Sequence, residues 1–153
     1  MSAVLKTQYD FRPMRMDDLD AIMDIEPQIY PYPWTRGNFV DSLNSGYSAW
    51  VLLHRGIIIG YSLTMMVLDE AHLLNLSIAK NYQKQGLGRY LLEHMVEIAK
   101  SHQMVDMFLE VRVSNVSAIA LYENMGFNEM AIRRGYYPAA SGREDAILMG
   151  LAL

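Results

Sequence analysis

The spacing of apolar positions predicts two helices in the first third of the chain. From Asp17 onward, apolar side chains recur at helical spacing behind an acidic cap, which predicts an amphipathic helix. Pro31 ends this helix and opens a rigid loop, PYPWT. Thr35 is a suitable N-cap for a short second helix through Phe39 and Leu43. The recurring positions of the first helix are Leu19, Ile22, Met23, Glu26, Ile29 and Tyr30.

Three segments rich in apolar and β-branched residues follow, and they predict consecutive strands. They read SAWVLLH, IIIGYSLTMMVL and AHLLNLSIA, and the breaks HRG and LDE between them are typical of turns. A meander is the simplest connection. After a glycine-containing loop, apolar residues return near a period of 3.6 from Leu87 to about Lys100, which predicts a third helix.

The last part of the chain predicts a strand, a short helix and two further strands. DMFLEVRV is the strand, and SAIALYENMGF is a helix that stops at Gly126. EMAIRR and DAILMGLAL are strands on either side of a loop, GYYPAASGRE. The whole order is one strand, two helices, three strands, a helix, a strand, a helix and two strands. That order predicts an α/β fold with a mixed central sheet and flanking helices, in a single domain over residues 1–153.

Composition narrows the possible functions. The formal net charge of -4 argues against nucleic acid as a direct partner, which needs basic stripes. No apolar run is long enough to cross a bilayer and the start lacks a signal-peptide core, so neither a membrane partner nor secretion is expected. The absence of cysteine fits a reducing cytoplasm. The four histidines show no ligand spacing, so no metal is expected.

A pair of glycines, Gly86 and Gly88, stands between a predicted strand and the third helix. Alone, the pair is compatible with a tight turn. The chain has no nucleoside-triphosphate P-loop motif, and the dinucleotide fingerprint lacks its third glycine. Backbone N–H groups from Gln85 to Arg89, in the first helical turn, would still attract a pyrophosphate, and Lys84 and Arg89 add positive charge. The loop therefore predicts a phosphorylated cofactor that is not a phosphoryl donor.

Two separate motifs resemble the GCN5-related N-acetyltransferase (GNAT) family. QKQGLG is similar to the family's Q/R-x-x-G-x-G/A loop, and NVSAIALYENMGF, from Asn115 to Phe127, is similar to its N-x-x-A-x-x-x-Y-x-x-x-G-F segment. The resemblance implies the GNAT fold and acetyl-CoA as co-substrate, with its pyrophosphate on the loop and its pantetheine arm along the preceding strand. The implied cofactor contacts are Leu76, Ser77, Ile78, Lys84, Gln85, Gly86, Leu87, Gly88, Arg89 and Asn115.

The resemblance also implies the catalytic residues. Acetyl transfer from a thioester to an amine needs a neutral amine, a donor to the oxyanion and a proton for the leaving thiolate. Glu110 is the implied base, acting directly or through water, and Tyr122 is the implied acid. From the residues alone, Glu110 could instead be a structural carboxylate paired with Arg112 or another cation. Tyr122 could be a core residue, and Asn115 an N-cap or turn residue.

The acceptor is implied by three further segments: YPW, LEVRVSN, and RRGYYP followed by GREDAI. They resemble family members that acetylate the N-terminal alanine of a small-subunit ribosomal protein. Tyr32, Tyr136 and Tyr137, placed in loops, are the implied acceptor contacts, although exposed tyrosines can also be surface packing. The lack of cysteine favours direct transfer in a ternary complex. A small-amine or lysine acceptor, and a non-catalytic acetyl-CoA-binding subunit, stay open as alternatives.

Overall fold

A computed structural model describes residues 8–153 of the chain. In chain order, the strands and helices are β1 (Tyr9–Pro13), α1 (Leu19–Ile29), α2 (Arg36–Asn44), β2 (Ser48–His54), β3 (Ile57–Val67), β4 (Glu70–Ile78), α3 (Leu87–Ser101), β5 (Asp106–Arg112), α4 (Val116–Asn124), β6 (Asn128–Ala139) and β7 (Gly142–Ala152). Single turns of 3-10 helix lie at Met16–Asp18 and Lys80–Tyr82. The element order predicted from the sequence is confirmed.

The strands hydrogen-bond in the order β1-β2-β3-β4-β5-β7-β6. β4 and β5 are parallel, whereas β1–β2, β2–β3, β5–β7 and β6–β7 are antiparallel. Strands β2, β3 and β4 are neighbours, as the predicted meander requires. A mixed sheet accompanied by helices confirms the predicted α/β class.

The chain divides into two compact units. The first contains the chain up to Met65 together with Asn75–Met95, and the second contains Met66–Leu74 together with Val96–Leu153. That residues 1–153 form a single domain stays a prediction. Within residues 8–153, no helix has both the length and the hydropathy that crossing a membrane demands.

In the first unit, Asp18 lies at the junction between the 3-10 turn and α1. Its carboxylate accepts two hydrogen bonds of 2.8 Å from the Arg12 guanidinium and one of 2.7 Å from the Arg15 backbone N–H. The bonds from Arg12 hold the pKa of Asp18 below its usual range. The predicted acidic cap at Asp17 is wrong, because Asp17 lies inside the preceding 3-10 turn and the Asp18 side chain makes no capping hydrogen bond to α1.

The core of the first unit joins the apolar faces of α1 and α2 to strands β2 and β3. The predicted cap of α2 is confirmed, since Thr35 accepts a hydrogen bond of 3.1 Å from the Asn38 backbone N–H. The buried core residues are Met14, Leu19, Ile22, Phe39, Ala49, Val51, Tyr61 and Leu63. The helical spacing read from the sequence thus places the apolar face of α1 correctly.

His94 is a half-buried titratable group in this unit. Its ring stacks on Phe11 at 3.9 Å and meets Trp50 edge-on at 4.6 Å. Its Nε2 atom is buried and has no hydrogen-bond partner among the described residues. Burial lowers the pKa of His94, because the charged imidazolium loses hydration there.

We expect acid to destabilise the fold through His94. Below about pH 6.5, the ordinary pKa of histidine, the unfolded chain binds a proton that the folded ring resists, so the free energy of unfolding falls as pH falls. His94→Gln should flatten this dependence by at most about 1.4 kcal/mol per pH unit, measured by urea unfolding between pH 8 and pH 5. His102→Gln, an exposed control, should leave the slope of the wild type. Parallel curves for His94→Gln and the wild type would contradict this account.

In the second unit, the parallel ladder of β4 and β5 runs from the Glu70–Asp106 pair to the Leu73–Leu109 pair. Glu110 is the next residue on β5 and pairs with Leu148 on β7. The predicted base therefore follows the last pair of the parallel ladder.

The segment GYYPAASGRE, predicted as a loop, is mostly strand. β6 continues to Ala139 and β7 begins at Gly142, so only Ala140 and Ser141 form the turn between them. Pro138 is compatible with a strand here, because β6 is an edge strand that pairs only with β7 among the strands of residues 8–153. The loop prediction is wrong because cross-strand pairing overrides the glycine and proline content of the segment.

Candidate active site

The second unit contains an open pocket beside the end of the parallel ladder. Its volume is about 160 Å³, and residues of β4, β5, β6 and β7 line it. The lining residues are His72, Leu73, Leu74, Phe108, Leu109, Glu110, Tyr136, Tyr137 and Leu148. The pocket thus brings together three residues that the sequence singled out separately, namely Glu110, Tyr136 and Tyr137.

Glu110 keeps one carboxylate oxygen without a hydrogen bond. Its Oε2 atom is buried and finds no hydrogen-bond partner among residues 8–153. The nearest cation is Arg133, whose Nε lies 3.5 Å from Oε2 without hydrogen-bond geometry, and whose side chain is 54% exposed. An ion pair this exposed contributes at most about 1 kcal/mol. The sequence left open that Glu110 is a structural carboxylate paired with Arg112. In the structure, Arg112 forms its ion pair with Glu144, at 2.8 Å.

Tyr137 forms a polar wall of the pocket next to Glu110. Burial and the negative charge of Glu110 raise the pKa of Tyr137 to about 12, so its hydroxyl stays protonated at neutral pH. The Arg112 guanidinium lies 4.4 Å from the centre of the Tyr137 ring, and Tyr136 meets that ring edge-on at 4.9 Å. Tyr137 therefore offers a neutral hydroxyl, and Tyr136 an exposed ring, at one pocket.

A bulge in β6 presents these two tyrosines. The ladder with β7 shifts register between Arg133 and Tyr137, and Gly135 in the bulge has a φ of +58°. The Gly135 N–H donates to Asp145 at 2.9 Å. Arg143 donates to the carbonyl oxygens of Gly135 and Tyr136, both at 2.8 Å.

The bulge explains why RRGYYP and GREDAI occur together in the sequence. The second segment contains Arg143, Glu144 and Asp145. Arg143 and Asp145 hydrogen-bond to the backbone of the first segment, and Glu144 binds Arg112, which in turn contacts that segment. Glu144 accepts from Arg112 at 2.8 Å, and Arg112 also donates to the Pro138 carbonyl at 2.6 Å. Sequence reasoning named the tyrosines and missed these supporting residues, although GREDAI itself was the signal.

The predicted acid, Tyr122, lies on α4 and is 8% exposed. Its ring meets Phe127 edge-on at 5.7 Å, so the core-packing role anticipated for the ring is present. Asn115 caps α4 by accepting a hydrogen bond of 3.3 Å from the Ala118 N–H. This is the N-cap role that the sequence left open for Asn115. The catalytic role of the Tyr122 hydroxyl and the cofactor role of Asn115 stay predictions.

In the first unit, the glycine loop has the form expected of an anion cradle. Gly86 has a φ of +80° and its carbonyl accepts the first helical bond, 3.1 Å from the Tyr90 N–H. Within residues 8–153, the five N–H groups from Gln85 to Arg89 donate no hydrogen bond. A Cβ built at Gly86 would meet no atom within 4 Å. The open backbone donors at a helix N-terminus therefore fit a pyrophosphate.

The end of β4 supplies the other predicted cofactor contacts. Ser77 and Ile78 are buried, and the Leu76 carbonyl accepts a hydrogen bond of 2.9 Å from the Tyr30 hydroxyl. The Ile78 carbonyl accepts one of 3.0 Å from the Gln83 side chain. Side chains therefore fix this backbone segment. The third predicted acceptor contact, Tyr32, belongs to the first unit and is half exposed in the loop before α2.

The chain belongs to the acetyltransferase (GNAT) family, whose pattern it matches across residues 19–127. The family and the fold expected from the two sequence motifs are therefore confirmed. Among residues 8–153, no group of three or more His, Asp or Glu side chains could hold a metal ion.

Relatives within the family share most of the chain's length. It is 44% identical over 136 residues to the ribosomal protein bS18-alanine N-acetyltransferase of Escherichia coli strain K12, covering 89% of this chain and 92% of that protein. The crystal structure of the ribosomal-protein-S18-alanine N-acetyltransferase from Escherichia coli matches with a TM-score of 0.89 and 42% identity, over 94% and 93% of the two chains. Arabidopsis thaliana NAA60 in complex with acetyl-CoA shares the fold, with a TM-score of 0.84 at 21% identity over 95% and 99%.

Proposed function

We propose that this chain is an acetyl-CoA-dependent Nα-acetyltransferase that modifies the N-terminal alanine of a small-subunit ribosomal protein. The observation that carries the proposal is Glu110, a carboxylate with an oxygen lacking a hydrogen bond, at a pocket it shares with Tyr136 and Tyr137. A proton acceptor beside two aromatic residues suits a peptide amine. Relatives at 44% identity are named for this reaction on bS18, which supports the choice of acceptor.

The cofactor proposal rests on the open donors of the glycine loop. The N–H groups from Gln85 to Arg89 would hold the pyrophosphate, with Lys84 and Arg89 as flanking cations. The backbone of Leu76, Ser77 and Ile78 would contact the pantetheine arm and offer a donor to the thioester oxygen. When bound, acetyl-CoA supplies the acetyl group.

Glu110 would take the proton of the acceptor amine. A protein α-amino group has a pKa of about 7.7–8.0, so much of it is charged at neutral pH and must lose a proton before attack. The carboxylate would accept that proton, directly or through water, and the neutral nitrogen would then bond to the acetyl carbon as the carbon–sulfur bond breaks. The Tyr122 hydroxyl gives a proton to the departing thiolate. A reaction of this kind is direct transfer, which needs no cysteine.

The two rival functions make different demands on the site. A small-amine or lysine acceptor does not require the bulge that presents Tyr136 and Tyr137 for contact with a peptide N-terminus. A subunit that only binds acetyl-CoA needs the glycine loop but neither Glu110 nor Tyr122. A cytoplasmic location suits an acceptor that belongs to the ribosome and a chain without cysteine.

Mass spectrometry of peptides tests the proposal. A short synthetic peptide beginning with alanine is incubated with the protein and acetyl-CoA, beside an Nα-blocked copy and a peptide whose only amine is a lysine side chain. One added acetyl group on the free α-amine alone supports the proposal. Acetylation of the lysine peptide favours the first rival, and acetyl-CoA binding without transfer to any peptide favours the second.

We expect Gly86→Ala to weaken acetyl-CoA binding about tenfold or more, because its methyl group would occupy open space in the loop that carries the open N–H groups. Isothermal titration calorimetry measures the dissociation constant. Gly56→Ala is a matched control, since Gly56 also has a φ of +80° and no atom within 4 Å of a built Cβ. Both variants should lose similar stability through backbone strain. Equal affinity for acetyl-CoA in the two variants would refute the assignment of the loop.

A further inference from the structure

Glu26 is a buried carboxylate without a cationic partner. It lies on the apolar face of α1 at a position that the helical spacing assigns to the core, and it is 1% exposed. Within residues 8–153, no Lys, Arg or His forms an ion pair with it. A buried charge of this kind is costly unless hydrogen bonds satisfy it, so its partners indicate its role.

Three donors from three parts of the first unit satisfy this carboxylate. The Tyr61 hydroxyl on β3 donates to Oε1 at 2.7 Å, and the Asn75 amide on β4 donates to the same oxygen at 3.4 Å. The Trp34 backbone N–H donates to Oε2 at 2.9 Å. Glu26 therefore connects the loop between α1 and α2 with two central strands.

The loop depends on this bond because its sequence leaves few backbone donors. Pro31 and Pro33 have no N–H, and the Thr35 N–H is used by the Asn38 side chain of α2, at 2.9 Å. The Trp34 N–H bond to Glu26 thus ties the loop to the core, beside the packing of the Trp34 ring on Phe39. The prolines restrict the backbone on either side of Tyr32, so a bond at Trp34 narrows the paths that the segment can take.

The strand side of the network is equally fixed. Ser77 donates to the Asn75 side-chain oxygen at 2.6 Å, and Ser62 donates to the Asn75 carbonyl at 2.6 Å. The Tyr30 hydroxyl lies 2.9 Å from both the Leu76 carbonyl oxygen and the Ser77 Oγ. These bonds belong to the β4 segment predicted to contact the cofactor.

We propose that Glu26 is a positioning residue for acceptor binding. Its carboxylate holds the loop that carries Tyr32 against the buried side chains of β3 and β4, so the loop meets the acceptor peptide without first having to be ordered. This inference rests on the proposed function, because it takes Tyr32 as an acceptor contact.

A carboxylate is the group that this position needs. It accepts three hydrogen bonds, two of them from N–H groups that can only donate. Glu26→Met keeps a side chain of similar length but removes every acceptor, so the Trp34 N–H and the Asn75 amide lose their partner. Tyr61→Phe removes a single donor and leaves the Trp34 bond, so it serves as the control.

Hydrogen exchange and steady-state kinetics test the proposal together. In the wild type, the Trp34 amide should exchange slowly although it lies in a loop, and Glu26→Met should accelerate it at least tenfold. Glu26→Met should also raise KM for the alanine peptide about tenfold, with kcat and acetyl-CoA affinity changed less than threefold. Tyr61→Phe should lower Tm but leave Trp34 exchange and peptide KM within threefold of the wild type.

The outcomes separate this inference from the proposed function. Rapid exchange of the Trp34 amide in the wild type would overturn the inference even if no Glu26 variant folds. The inference would also be overturned if peptide KM rises in proportion to the fall in Tm in both variants, since the role of Glu26 would then be structural only. If the wild type acetylates no peptide, the proposed function fails and the acceptor role of Glu26 fails with it. In that case exchange at Trp34 still decides whether Glu26 anchors the loop.

Discussion

Glu110→Gln should reduce kcat for the alanine peptide by roughly 10²- to 10⁴-fold, with the affinity for acetyl-CoA nearly unchanged. Glutamine keeps the shape of the side chain but cannot take the proton of the acceptor amine, and general base catalysis contributes roughly this much. The deficit should shrink as pH rises past about 8, where the α-amine is already neutral. Initial rates at saturating substrates from pH 6.5 to 9.5 measure both effects.

Glu129→Gln is the matched control for this variant. Glu129 is an exposed acid on β6 outside the pocket, and the same substitution there should leave kcat within twofold. If Glu110→Gln and Glu129→Gln have the same turnover, Glu110 is the structural carboxylate of the alternative interpretation, and its contact with Arg133 is its role.

Tyr122→Phe should lower kcat by roughly 10²-fold or more while the fold and the affinity for acetyl-CoA persist. The phenyl ring keeps the edge-on contact with Phe127, so the core of α4 is retained. The variant lacks only the hydroxyl that would protonate the departing thiolate. Single-turnover mass spectrometry of the acetylated peptide measures the transfer step itself, and circular dichroism measures Tm.

Tyr9→Phe controls for the loss of a hydroxyl from a buried ring. Tyr9 on β1 is 8% exposed, as is Tyr122, and it is not a predicted site residue. We expect its turnover to equal that of the wild type. Full turnover in Tyr122→Phe would leave Tyr122 as a packing residue and would require another proton donor.

The order of helices and strands was predictable because local signals agree with the tertiary structure. The apolar spacing of α1, the cap at Thr35 and the apolar runs of β2 to β4 each act within a few residues. The two strands of the β6–β7 hairpin were predicted, but their extension through GYYPAASGRE was not. Its glycine and proline residues indicate a loop, whereas Arg143 and Asp145 hold a bulged strand by bonds across the hairpin.

The candidate site likewise has residues that local sequence signals reveal and contacts that depend on distant segments. Gly86, Glu110 and Tyr122 fall in motifs that can be read from short stretches of sequence. That Glu110 shares a pocket with Tyr136 and Tyr137 depends on strand register, which no local pattern encodes. Glu26 shows the limit most clearly. Its place on an apolar helical face was visible, but its three donors come from distant segments.

Acetylation of full-length ribosomal protein bS18 tests the central claim most directly. Unacetylated bS18 that begins with alanine is incubated with the protein and acetyl-CoA, and tandem mass spectrometry of the intact product locates the modification. We expect one acetyl group, on the α-nitrogen of the N-terminal alanine, and no transfer with the Glu110→Gln variant on the same timescale. Acetylation confined to lysine side chains, or an unmodified product despite confirmed acetyl-CoA binding, would contradict it.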